Sequence, residues 1–217
     1  MADWKERARQ AEERYEDGAS RLPEEPDERQ RQRTRMGNAA WAAGLCLLMA
    51  GRRDEAGEWL RRAAETYRRS WPDAPPGSWG RPIGAMKSRL IAGDLAGAHD
   101  DARWALEAGA AGSESPIGRY AGTLAYLVRR QDEDAAPLAA SLQGVEGFPP
   151  AVADALVALA ARDQGGYASA VTALVADFES RAEFLEDVPV ADTVLALQEL
   201  ARDRDLALSL ASRTLPS

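Results

Sequence analysis

Leu48-Met49-Ala50-Gly51-Arg52-Arg53-Asp54-Glu55-Ala56 is the stretch on which the fold is decided. An apolar helix ends, a tight polar turn follows, and a second helix opens on a small residue. A glycine at the break lets the chain leave the first helix with φ above zero. The plan recurs at Leu90-Ile91-Ala92-Gly93-Asp94-Leu95-Ala96-Gly97-Ala98 and at Leu127-Val128-Arg129-Arg130-Gln131-Asp132-Glu133-Asp134-Ala135. It returns from Leu159 through Arg162-Asp163-Gln164 to Ala170. The aligned alanines Ala56, Ala98, Ala135 and Ala170 are 42, 37 and 35 residues apart. Such periods belong to arrays of helical hairpins, where each pair buries its apolar faces against its neighbours.

Helical periodicity continues on both sides of these turns. Trp4, Ala8, Ala11, Tyr15, Ala19 and Leu22 form one stripe of an amphipathic helix that Pro23 and Pro26 close. No stretch alternates apolar and polar residues over the length of a strand, and no hairpin turn separates two such stretches. The stripes predict helices near 3–21, 27–50, 54–70, 82–92, 95–108, 117–130, 133–142, 151–162, 167–181 and 190–202. Leu206 to Ser217 read as a short helical turn or an extended cap. The expected fold class is all-α, with antiparallel helical hairpins stacked as a short α-solenoid in a single domain over 1–217. Residues 1–36 hold an N-terminal helix and the start of the second, 37–180 hold four hairpins, and 181–217 hold a C-terminal capping helix and tail. Gly44, Ala56 and Ala63 fall where the first two repeat helices should cross closely.

The first repeat carries Gly44, Leu47, Gly51, Ala56, Leu60 and Ala63, with Trp41 one place from the usual aromatic. This set resembles the tetratricopeptide repeat, whose signature places small residues at three positions and a glycine before the inter-helix turn. Met86, Thr123 and Asp177 depart from it in later repeats, so the resemblance, over residues 37–180, is to a tetratricopeptide-like array. It implies a binding module that receives a peptide or helix of a partner protein. A second, looser likeness links Ala191 to Ala201 and Leu215-Pro216 to the end of an all-helical bacterial toxin-immunity family. It implies neutralisation of a cognate toxin as the alternative.

Composition narrows the function classes. The formal net charge is −8, which disfavours general binding to nucleic acid or anionic membranes. Residues 1–72 carry 15 basic and 14 acidic side chains, and residues 73–217 carry 12 and 21, so the acidity lies in the later part. Only Lys5 and Lys87 are lysines, as expected of a GC-rich genome. The charged start and the lack of a membrane-length apolar run predict a cytoplasmic protein. Cys46 and His99 are the single cysteine and histidine, too few for a metal site or a disulfide. No phosphate-binding loop or nucleophile elbow is present. The protein is therefore expected to be no enzyme and to need no cofactor. Asp100-Asp101, Asp132-Glu133-Asp134 and Glu186-Asp187 read as turn and helix-start carboxylates.

Two features carry the expected partner site. Ser70 to Pro82 is an irregular loop with four prolines, Trp71, Trp79 and Arg81. Longer than usual helix connections, it would present its two indoles to a partner or else pack them over the adjacent repeats. Arg29, Arg31, Arg33 and Arg35 make a basic run in which 29 and 33 share a helix face. Arg29 and Arg33 would meet an acidic partner, or the acidic end of a second copy in a homo-oligomer.

Overall fold

A computed structural model of the protein describes residues 3–216; Met1, Ala2 and Ser217 lie outside the described residues. Ten helices follow one another. They are α1 (Trp4–Ser20), α2 (Pro26–Met49), α3 (Arg53–Ser70), α4 (Gly80–Ile91), α5 (Leu95–Glu107), α6 (Pro116–Val128), α7 (Asp132–Ala140), α8 (Pro150–Ala161), α9 (Gln164–Ser180) and α10 (Asp192–Arg202). Short 3-10 turns occupy Ala110–Gly112 and Leu185–Asp187, and no strand occurs among the described residues. Every helix that the periodicity predicts is present, with ends displaced by at most three residues.

The four aligned turns share one backbone geometry. Gly51 and Gly93 have φ of 77° and 69°, and Arg130 and Arg162, at the equivalent positions, have 58° and 54°. In each turn the next residue donates its N–H to the carbonyl five residues back: Arg52 to Leu47, Asp94 to Arg89, Gln131 to Tyr126 and Asp163 to Ala158, all at 2.9 Å. This is the left-handed helix ending that satisfies otherwise free carbonyls. The four turns aligned in the sequence thus share one hydrogen-bonding geometry, with arginine occupying two positions where glycine would be unstrained.

Packing is dense wherever small residues allow it. A Cβ at Gly44 would lie 2.6 Å from Leu60 Cγ and 3.1 Å from the Ala56 carbonyl oxygen, so α2 and α3 do approach closely there. From Ala39 to Leu48, α2 is buried on every side, between α1, α3 and the C-terminal part of the chain. Cys46 is fully buried in this stretch, and burial pushes its thiol up to about 11. Two apolar clusters result, one centred on α1 to α3 and one spanning α4 to α10. Trp71, Ile91 and Leu195 pack against both and join them.

Helix α4 packs on α3, α6 on α5 and α4, and α8 on α7 and α6. The expected capping helix departs from this progression. Helix α10 lies principally on α4, with lesser contact to α8 and α9. The segment before it crosses to the other end of the molecule, where Arg7 donates to the Asp187 carbonyl at 2.6 Å and Arg14 pairs with Glu186. Past α10, Arg204 donates to the Leu127 carbonyl and pairs with Asp132, and the Ala191 amide donates to the Thr214 carbonyl. Residues 181–216 therefore touch α1, α4, α6 and the start of α7 as well as the neighbouring α8 and α9. The apolar stripe Val194, Leu197 and Leu200 is buried in the larger core cluster.

The left-handed arginines give a direct check. An L side chain in this conformation is disfavoured by about 1–2 kcal/mol, partly offset by the extra freedom glycine gains when unfolded. Arg130→Gly should raise stability by about 0.5–1 kcal/mol in urea unfolding, despite the loss of its exposed pair with Asp203. A destabilisation larger than that would show that the turn is not governed by backbone strain.

Candidate functional site

The five residues singled out in the sequence do come together, but as a brace. Arg29 pairs with Asp73 at 3.2 Å and donates to the Glu24 carbonyl at 2.7 Å. Arg33 donates to the Arg69 carbonyl at 2.9 Å. Arg81 donates through Nε to Ser70 Oγ at 2.8 Å and through Nη2 to Gln30 Oε1. Together they fasten the start of α2 to the end of α3, the loop after it and the start of α4. Arg31 and Arg35, on the next face, are exposed.

The two indoles turn inward. Trp79 is 8% exposed and belongs to the larger core cluster. Trp71 packs on Trp79 with ring centroids 5.7 Å apart and meets Trp104 edge-on at 5.5 Å. The presented-indole reading is corrected accordingly: the loop folds back because stacking three indoles at the joint of the two clusters buries more apolar surface than exposing them. Arg81 remains notable, since among the described residues no carboxylate pairs with it and burial pulls its pKa down.

Charges that the sequence left unassigned hold the interior together. Asp101 lies two turns inside α5, not at a helix start, because Asp94 is the residue that caps that helix. It is 1% exposed, and burial raises its pKa against the pull of Arg89 and Arg68. Arg68 donates to it at 2.9 Å from α3 and Arg89 at 3.4 Å from α4, so one carboxylate ties three helices. Lys87 Nζ meets Asp192 Oδ2 at 2.5 Å and donates to Thr193 Oγ1 at 2.8 Å, pinning the start of α10 to α4. The rarity of lysine was the only sequence sign that Lys87 differs from the arginines.

Around this pair lies an inner cleft of two adjoining cavities, about 380 and 530 Å³, that share Trp41, Lys87, Leu185 and Asp192. Asn38, Tyr67, Trp79 and Arg81 line the first, with the Tyr67 hydroxyl donating to Asn38 Oδ1 at 2.9 Å. Phe178, Phe184 and Arg181 line the second. Residues of the C-terminal segment form one wall of both cavities.

A more open concavity lies elsewhere, a groove of about 1160 Å³ between α8 and α9. Helix α8 contributes the stripe Pro150, Asp154, Val157, Ala158 and Ala161, and α9 contributes Gly166, Ala170, Ala173, Leu174 and Asp177. The loop from Gln143 to Pro149 closes one end, with Phe148 buried beneath it. The floor is made of small apolar side chains, and the rim carries Glu146, Asp154, Asp163 and Asp177 against the single cation Arg181. No residue of α10 lines it. None of the ten helices is long and apolar enough to cross a membrane. No protein-family model, curated protein or solved structure matches this chain.

Two outcomes test these assignments. Replacing Trp79 by Ala removes a buried indole from the joint of both clusters, which costs about 3–5 kcal/mol in comparable cores and should lower the melting temperature by roughly 10 °C. An unchanged melting temperature would contradict the inward packing. For Lys87, burial opposes the charge, yet the Asp192 carboxylate more than offsets it and the pKa stands above the usual lysine value. A raised lysine pKa adds stability below the unfolded value and loses it as pH climbs through the folded one. Lys87→Met should therefore destabilise by about 3–5 kcal/mol, and adding Asp192→Leu should recover most of it. The coupling should be the same at pH 6 and pH 9 and fade only in stronger alkali.

Proposed function

We propose that the protein is a short tetratricopeptide-like α-solenoid that acts as a non-catalytic interaction module, taking a helix of a partner protein. What carries the reading is the α8–α9 groove of about 1160 Å³, lined by small apolar side chains of both helices together with four carboxylates. Helix α6 packs on α5 and α4, and α8 on α7 and α6, whereas α10 makes its main contact with α4 and only a slight one with α8 and α9. The groove is the seat that the following helix of such an array would occupy, and small residues permit the close approach that helix packing needs.

Neutralisation of a toxin is the narrower form of the same reading, in which the partner is a basic toxin surface. Its sequence support, Ala191 to Ala201, forms the end of the α9–α10 segment and the buried stripe of α10, so it contributes to internal packing. The acidic groove rim is what remains to favour it.

A photoreactive amino acid placed at Ala173, an exposed position in the groove, tests the module reading in cells of the natural source. The expected result is one discrete adduct with another protein that does not form from the exposed His99 on α5. Absence of an adduct at 173, or the same adducts from both positions, would count against the proposal.

A further inference from the structure

We infer that the partner helix of the α8–α9 groove is amphipathic and basic at its flanks, an inference that rests on the interaction-module reading. Three observations select this chemistry. First, α8 is 12 residues long, about 18 Å at 1.5 Å per residue, so the floor matches a helix of about three turns. Secondly, Ala158, Ala161, Ala170 and Ala173 leave room for a backbone to come near, and they reward Leu- or Met-sized side chains spaced three and four apart.

Thirdly, the rim charge is one-sided. Asp177 holds Arg181 through two contacts, at 3.0 and 2.5 Å, which consumes the only cation. Asp163 is engaged in capping α9 through the Gly165 and Gly166 amides. Asp154 accepts only a neutral hydrogen bond, from Gln143 at 2.7 Å, and Glu146 is exposed at the closed end. A helix with Lys or Arg beside its apolar stripe would satisfy Asp154 and Glu146; an acidic one would be repelled.

The same comparison sets a second copy of this chain aside as occupant. Its basic stretch, Arg29 to Arg35, has no apolar stripe, and Arg29 and Arg33 are already held, by Asp73 in the loop after α3 and by the Arg69 carbonyl at the end of α3. A further copy would therefore offer the groove charge without an apolar face.

Selection from a displayed library of 14-residue helical peptides tests this, using the full chain as target and its Ala173→Arg variant for counter-selection. Ala173 is exposed on a helix, so arginine fills the groove without disturbing the core. The expected winners bind the wild type at least tenfold better than the variant, carry apolar residues at three- and four-residue spacing, and have a net positive charge. Their affinity should fall as salt rises and drop roughly fivefold on joint Glu146→Gln and Asp154→Asn replacement. Winners that need the open groove but are neutral or acidic would overturn the basic-partner inference and leave the module reading standing. Failure to enrich any peptide on the wild type over Ala173→Arg would overturn both. Sedimentation that shows a dimer abolished by Ala173→Arg would identify a second copy as occupant and likewise sink the inference.

Discussion

The contact between Lys87 and Asp192 decides which faces of this molecule are open. Each side chain is 12% exposed, and taking two charges out of water is unfavourable unless they meet with good geometry and further hydrogen bonds. Here the ammonium also donates to Thr193, so a lysine on α4 recognises two successive residues at the start of α10. Hydrophobic burial of Val194, Leu197 and Leu200 would tolerate α10 sliding along the array, since apolar contact is not directional. The ion pair fixes one register. Arg204 with Asp132, and Arg7 with the Asp187 carbonyl, then hold the segment at points far from α4. With residues 181–216 committed to these contacts, none of α10 is left to line the α8–α9 groove.

Arginine does most of the remaining cross-bracing, and the reason is geometric. A guanidinium offers five donors in a rigid fork and can serve two acceptors on different helices at once. Arg204 does so between the Leu127 carbonyl of α6 and Asp132 of α7, while Arg89 on α4 grips α5 at two points, its cap Asp94 and Asp101. An alanine-rich helix array needs such links. Short side chains bring helices close but bury little apolar area each, so buried polar contacts supply the specificity that larger side chains would otherwise give.

Local features of the fold were legible and non-local ones were not. Apolar spacing marks where a helix runs, and a repeated turn marks where two helices meet; both are written within a few residues, which is why Gly51, Gly93, Arg130 and Arg162 align in sequence and in backbone angle. Spacing does not say which surface covers a stripe. Helix α10 has the periodicity of a cap, and its destination on α4 depends on one lysine more than a hundred residues earlier. Asp101 was misread for a related reason: an acidic pair looks like a helix start unless the true cap, Asp94, is recognised two turns before it. The loop tryptophans could be read either way because a proline-rich segment has no period, and only the ring of Trp104 shows where they pack. The groove between α8 and α9 went unread because alanine and glycine stripes look like ordinary helix interior.

Those stripes also explain how such a groove can stay open in water. Burial is worth about 25 cal/mol per Å² of apolar surface, so exposed methyl groups are far cheaper than exposed leucines. The chain keeps its large side chains inside, with Leu156, Leu159 and Tyr167 on the same two helices fully buried. A surface of this kind gains little from contact area alone and cannot by itself hold a partner tightly. Affinity would have to come from the partner's larger side chains entering the space and from charge at the rim, and electrostatics of that sort governs encounter rate and choice of partner more than final strength. A complex of the proposed kind would therefore be reversible and sensitive to salt, since neither its contact area nor its exposed charges hold strongly.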